Sequence, residues 1–220
     1  MKRSFVLFLS VFWLSSLAIA QDVPPREEGD FRSPQLVELP KVDATFKLDI
    51  RYATSNNFVG QPVYEEARAF LQAPAAEALV RAHNRLKEKG YGLIILDAYR
   101  PWYVTKLFWD RFPQFKEYLA DPAKGSRHNR GCAVDVTLFD LKTGREVSMP
   151  SAFDDFTERA HPEYGGGTAE QRAARDLLRS VMESEGFAVY ENEWWHYDYH
   201  GWREYPILNL GFSDVPGSGG

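Results

Sequence analysis

Apolar positions along the chain alternate between stretches with a period near three and a half and stretches with a period of two, which predicts a mixed fold. From Pro74 to Lys89, Ala75, Leu79, Ala82 and Leu86 mark one helix face, with a proline in the first turn and Gly90 at the end. Leu93-Ile94-Ile95-Leu96 is an apolar run of strand length that feeds into Asp97-Ala98-Tyr99-Arg100-Pro101. Pro101 cannot continue sheet pairing but can open a helix carrying Trp102, Leu107, Phe108 and Trp109, so Arg100 is expected at a strand end. Ala133 to Leu138 alternates, with Val134, Val136 and Leu138 on one face and Ala133, Asp135 and Thr137 on the other, which points Asp135 away from the apolar side. Thr168-Ala169-Glu170-Gln171 has the form of a capping box, and Ala173, Leu177, Val181 and Met182 carry a helix on to Gly186. Short strands are expected on either side of Glu191-Asn192. There is no regular βαβ unit and no glycine-rich phosphate turn, so the expected class is α+β: one domain with a small antiparallel sheet flanked by helices.

The chain ends differ from this middle. Lys2 and Arg3 precede an apolar run from Phe5 to Leu17, and Ala18-Ile19-Ala20 supplies small residues before Gln21. Residues 1–20 therefore read as a signal peptide cleaved after Ala20, with the rest exported to a periplasm or the medium. The alternative, an uncleaved anchor, asks for a longer apolar run. No cysteine follows the cleavage point to take a lipid, so no stable membrane anchor is expected after processing. Residues 21–40 are rich in proline and charge and are expected to form a mobile lead-in, residues 41–212 the domain, and residues 213–220 a flexible tail.

Composition narrows the chemistry. With 44% hydrophobic residues and one cysteine among 220, the chain is neither disordered nor a disulfide scaffold, and Cys132 reads as buried filler. The formal charge of −5 becomes −7 once residues 1–20, with two cations and no acid, are removed; a nucleic-acid partner is not expected. Any metal or acid–base site must draw on five histidines: His83, His128, His161, His196 and His200.

One constellation has the right residue types. Ser126-Arg127-His128-Asn129-Arg130-Gly131-Cys132-Ala133-Val134-Asp135 sets an imidazole in a glycine-containing loop and a carboxylate seven residues later on a strand, and Glu193-Trp194-Trp195-His196 adds a second imidazole with a carboxylate three residues before it. Two histidines and one aspartate form a three-ligand zinc set that leaves a fourth position for water, with the glutamate available as a base. The same set also suits iron or cobalt. In a regular strand, however, Glu193 and His196 project to opposite faces, so a bulge near Glu193 is required. His200 is a rival ligand only in a helix, because along a strand it lies about 13 Å from His196. His83, on the helix before the apolar strand, reads as a surface residue.

At these residues the chain resembles the zinc D-alanyl-D-alanine dipeptidases of the vancomycin-resistance type, within the zinc D,D-peptidases that share a fold with the hedgehog signalling domain. The resemblance runs from about Leu48 to Phe212. It rests on Asp49-Ile50-Arg51-Tyr52-Ala53-Thr54 with Asn57-Phe58, Tyr99-Arg100-Pro101, the block from Ser126 to Asp135, Phe153-Asp154 with Glu158-Arg159, and Glu193-Trp194-Trp195-His196-Tyr197. It implies His128, Asp135 and His196 as ligands of one zinc ion, Glu193 as catalytic base, and Arg100 as the group that stabilises the transition state. It also implies Tyr52 and Asp154 near the free amino group of a small D,D-dipeptide, and Ser126 beside the metal.

Other readings of single residues stay open. Arg100 can be a structural partner of Asp97, Tyr52 a core aromatic, Ser126 a turn former, and Asp155 can replace Asp154 as binder. A D,D-carboxypeptidase or endopeptidase acting on peptidoglycan stem peptides would use the same metal chemistry, and a non-catalytic zinc module is the reading from another class. The chain departs from the family in two ways. The resistance-type enzymes act on a cytoplasmic dipeptide pool whereas this chain carries an export signal, which points to salvage of wall-derived dipeptide. In addition, the loop from His161 to Gly167 differs from the family's and is expected to alter the rim of the site.

Overall fold

The computed structural model of the protein describes residues 23–217; the expected signal peptide and the last three residues of the expected tail lie outside it. In chain order the elements are β1 (Leu36–Glu38), α1 (Leu39–Val42), β2 (Lys47–Leu48), β3 (Phe70–Gln72), α2 (Ala73–Lys87), β4 (Tyr91–Asp97), α3 (Trp102–Arg111), β5 (Ala133–Asp140), α4 (Ala169–Ser184), β6 (Phe187–Tyr190) and β7 (Glu193–Tyr199). Five strands form the main sheet in the order β2-β4-β5-β7-β6, and β1 pairs with β3 in a separate ribbon. The main sheet is antiparallel except at one edge, where β2 runs parallel to β4. The class is α+β, as the alternation of periods suggested.

The helices form where the sequence places them. Pro74 sits in the first turn of α2, Gly90 follows its end at φ 87, and α4 is opened by a capping box in which Thr168 Oγ1 accepts from Gln171 N while Gln171 Oε1 accepts from Thr168 N. The buried stripes of α2 (Ala75, Leu79, Ala82, Leu86) and α4 (Ala174, Leu178, Val181, Met182) share one core with Leu93 and Ile95 of β4, Val134, Val136 and Leu138 of β5, and Tyr197 of β7. The opposite side of the sheet is also covered. Ile94, Leu96 and Phe139 form a second cluster closed by Phe153, and Asp135 and Thr137 between them are buried. That side of β5 reads as polar in sequence but does not face water.

Three expectations change. Of residues 21–40, expected to be a mobile lead-in, those from Glu27 onward are held by specific contacts. The Glu27 carboxylate accepts from Arg130 Nη2 and from the backbone of Ile207 at 2.6 Å, Arg32 N donates to Glu204 O at 2.8 Å, and β1 begins at Leu36. The Glu27 charge finds a buried partner in Arg130. The start of the expected tail is likewise docked, with Val215 buried and Gly217 O accepting from Lys41 Nζ at 3.1 Å. His83 is fully buried rather than on the surface: Nδ1 accepts from Leu93 N at 3.1 Å and Nε2 lies 3.0 Å from Thr45 Oγ1. A helix-face histidine next to an incoming strand satisfies a backbone donor that an apolar residue would leave orphaned. Cys132 is buried and unpaired. Among the described residues no helix is long and apolar enough to cross a membrane.

Candidate metal centre and cleft

The register of β5 on β7 sets Asp135 directly opposite His196, so their side chains emerge side by side on the covered face of the sheet. His128 arrives from a short 3-10 turn, His128–Arg130, that ends at Gly131 with φ 66. That left-handed backbone favours glycine at this position. The turn brings His128 Nε2 to 3.1 Å from His196 Nδ1 and 3.4 Å from Asp135 Oδ1, and His196 Nδ1 lies 3.0 Å from the same oxygen. All three residues are buried.

The outward-facing ring nitrogens fix which atoms face inward. His128 Nδ1 donates to Ala98 O at 2.6 Å, and His196 Nε2 donates to Asp198 Oδ1 at 2.9 Å. Three acceptors, two imidazole lone pairs and a carboxylate, therefore converge with no donor between them. That is the donor set of a cation site. Ligands about 2.0–2.1 Å from a tetrahedral zinc ion lie about 3.3 Å apart, which the three separations match, so the residues fit the ion. The nearby negative charge also shows in proton affinities. Neighbouring imidazoles hold the Asp135 carboxyl well below its usual range against the opposing effect of burial, and the carboxylates of Asp198 and Asp135 raise His196 despite burial.

Glu193 joins them through the bulge that the sequence required. The pairing of β6 with β7 shifts between Val189 opposite Tyr197 and Tyr190 opposite Glu193, so β7 departs from regular alternation across residues 194–196. Glu193 Oε2 then lies 3.8 Å from His196 Nδ1, and Trp194 and Trp195 are both buried. Burial pushes the Glu193 carboxyl up to about 8, opposed by His196 and reinforced by Asp135 and Asp154.

A second bulge shapes the other wall. Between Ile95 and Asp97 the pairing of β4 with β5 slips, which sets Asp97 opposite Asp135 at the sheet's end. Asp97 Oδ2 accepts from Arg100 Nε at 3.0 Å and Nη2 at 2.7 Å, while Oδ1 accepts from Tyr64 OH at 2.8 Å. Arg100 thus makes the structural ion pair and still lines the cleft, its guanidinium 5.2 Å from the ring centres of Tyr52 and Phe108. Tyr52 is both a core aromatic and a hydrogen-bonding group, donating to Asp154 Oδ1 at 3.0 Å. Asp154 Oδ2 accepts from Phe58 N at 3.1 Å, and its backbone takes φ 60. Burial pushes this carboxyl up to about 7. Asp155 instead bonds Thr157 at 2.6 Å, which leaves Asp154 as the carboxylate of the cleft. Ser126 is buried at the rim; its Oγ accepts from His128 N at 3.2 Å, so it is at once a turn former and a cleft residue.

All eight expected site residues therefore line one cleft. The loop from His161 to Gly167 does not. It lies against α4 instead, where Tyr164 O accepts from Arg175 Nη1 at 2.7 Å, so its divergence leaves the rim untouched. His200 is outside the cluster and bonds Gly186 O at 2.9 Å. The positions missed from the sequence are Asp198, which anchors His196, and Arg127, a second cleft arginine. The signal for Asp198 was present, since residues two apart on a strand share a face.

A family model described as D-ala-D-ala dipeptidase matches residues 32–213. Three proteins called D-alanyl-D-alanine dipeptidase are similar to the chain. That of Escherichia coli is 32% identical over 179 residues, covering 81% of this chain and 92% of its own. Those of Enterococcus faecium and Enterococcus faecalis are 37% and 39% identical, each covering 68% of this chain and 83% of its own. Family match and cleft geometry agree, and the chain belongs to the D-ala-D-ala dipeptidase family.

Proposed function

We propose that the protein hydrolyses the dipeptide D-alanyl-D-alanine, and similar small D,D-dipeptides, using one zinc ion held by His128, Asp135 and His196. The observation that carries this reading is the meeting of His128 Nε2, Asp135 Oδ1 and His196 Nδ1 within 3.0–3.4 Å of one another beside Glu193. Bound zinc supplies Lewis acidity, which makes water a competent nucleophile near neutral pH and polarises a carbonyl.

The chain's own groups do the rest. Glu193 takes a proton from the attacking water and returns it to the leaving amine as the C–N bond breaks, so the water's oxygen and remaining hydrogen end on the new carboxyl group. Arg100, permanently charged and fixed by Asp97, stabilises the negative charge that develops on the carbonyl oxygen. Asp154, oriented by Tyr52 and the Phe58 amide, receives the substrate's free ammonium, which selects dipeptides over longer chains. Tyr52 and Phe108 keep water away from the Arg100 face.

Export also belongs to this proposal. It rests on Lys2-Arg3, the apolar run to Leu17 and the Ala18-Ile19-Ala20 site, and it places the enzyme where wall-derived dipeptide would be released. The deciding experiment compares D-Ala-D-Ala with N-acetyl-D-Ala-D-Ala on zinc-loaded protein. The proposal expects efficient cleavage of the first and little of the second. Preference for the acylated peptide would assign the protein to stem-peptide carboxypeptidases instead.

A further inference from the structure

An extended dipeptide carries opposite charges about two residue lengths, roughly 7 Å, apart on either side of its scissile bond, and each needs a partner if the bond is to sit over the metal in one polarity. The Asp154 end of the cleft offers the anion. Arg100 belongs to that same end, because its guanidinium lies over Tyr52, the residue bonded to Asp154, and two of its nitrogens are committed to Asp97.

The other end is held by Arg127. Its guanidinium lies over Trp202 at 5.0 Å, with Nε 3.5 Å from Asp198 Oδ2, on the far side of the His196 ring from the metal-facing nitrogen. It is ion-paired with Asp198, but among the described residues its side chain donates no hydrogen bond and its Nε is buried without one. By contrast, Arg130 nearby is bonded to Tyr205 O and Glu27. Ser126, the preceding residue, lines the same cleft, and its Oγ accepts from His128 N but donates to no partner among the described residues. Ser126 and Arg127 line both the cleft and an adjoining groove in which Lys116, Lys124 and Arg130 face a single acid, Asp121, so cations outnumber acids along that groove.

We propose that Arg127, assisted by Ser126 Oγ, binds the α-carboxylate of the substrate's second residue and so sets the direction in which the dipeptide lies across the metal centre. This rests on the dipeptidase reading above. A charged carboxylate offered to a guanidinium with hydrogen-bond donors to spare forms charge-assisted hydrogen bonds that an amide at the same position cannot replace.

The test compares D-Ala-D-Ala with D-Ala-D-Ala amide, using zinc-loaded wild type, Arg127→Gln, Arg127→Lys and Asp198→Asn, with zinc affinity measured for each by competition with a chelator. Wild type is expected to prefer the acid by roughly 10- to 100-fold in kcat/KM, mostly through KM. Arg127→Gln should bring acid and amide to within about threefold of each other at unchanged zinc affinity, Arg127→Lys should restore part of the preference, and Asp198→Asn should keep it while weakening zinc. An undiminished preference for the acid in Arg127→Gln would overturn the proposal, as would an equal loss on both substrates together with weaker zinc, which would make Arg127 a support for Asp198 only. Wild type that holds zinc but leaves D-Ala-D-Ala intact would overturn the dipeptidase reading, and the proposal with it.

Discussion

The two faces of β5 are equally dry and do opposite things. Val134, Val136 and Leu138 meet α2 and α4 through apolar area alone, whereas Asp135 on the other face is just as buried but adjoins His128, His196 and the cleft. Burial therefore does not distinguish scaffold from site; the partners do. On the first face, loss of a side chain costs packing and leaves chemistry intact. On the second, Asp135 is bonded to His196 and lies beside His128, and its loss would redirect the proton or the ion that it holds.

The comparison breaks most visibly at Glu193. Glu193→Gln keeps the shape of the bulge and all three ligands, so kcat should fall by about 10²- to 10⁴-fold while zinc stays stoichiometric. Near-normal turnover would remove Glu193 from the base role. On the apolar face, Leu138→Ala should cost about 2–5 kcal/mol in chemical denaturation while leaving kcat per bound zinc unchanged. A change in zinc affinity there would show that the two faces are coupled. Asp198→Asn tests how deep the polar face runs: zinc affinity should drop by about 10- to 100-fold with little loss of stability, as read by competition with a chelator.

The smallest effect concerns His83, a polar residue set within the apolar face. Burial, with help from Lys87, lowers it from 6.5 to about 4, so between those values the unfolded chain binds a proton that the folded chain refuses. Its contribution to stability is whole above about pH 6.5 and is lost as the pH falls towards 4. At pH 5.5 the loss is about 1 kcal/mol, or 2–4 °C in Tm, relative to neutral pH. His83→Gln should flatten that dependence in thermal melts taken across this window.

The sequence revealed most where one local rule settles the outcome. The capping box at Thr168, the proline and glycine around α2 and the alternation of β5 each act within a few residues, and the structure places those elements within one or two residues of expectation. The cleft was readable for a different reason: ligand types and the requirement for a bulge near Glu193 follow from chemistry, which the pairing of β6 with β7 then meets. What stayed hidden depends on long-range contacts. Glu27 is charged and follows two prolines and an arginine, and nothing local says that Arg130 and Ile207, more than a hundred residues on, will bind it. His83 looked exposed because its helix position gives no hint of Thr45 and Leu93. Arg127 sat inside the most informative block yet drew no attention, since its role depends on what surrounds its guanidinium and not on its spacing.

The central claim is that zinc at His128, Asp135 and His196 drives cleavage of D-Ala-D-Ala. The most direct measurement follows zinc content and D-Ala-D-Ala hydrolysis in one preparation as a chelator removes the metal and added zinc restores it, with Asp135→Asn alongside. One zinc per chain is expected, with activity that falls and returns in proportion to it, and neither metal nor activity in the variant. Full hydrolysis by metal-free protein, or a variant that keeps both zinc and turnover, would contradict it.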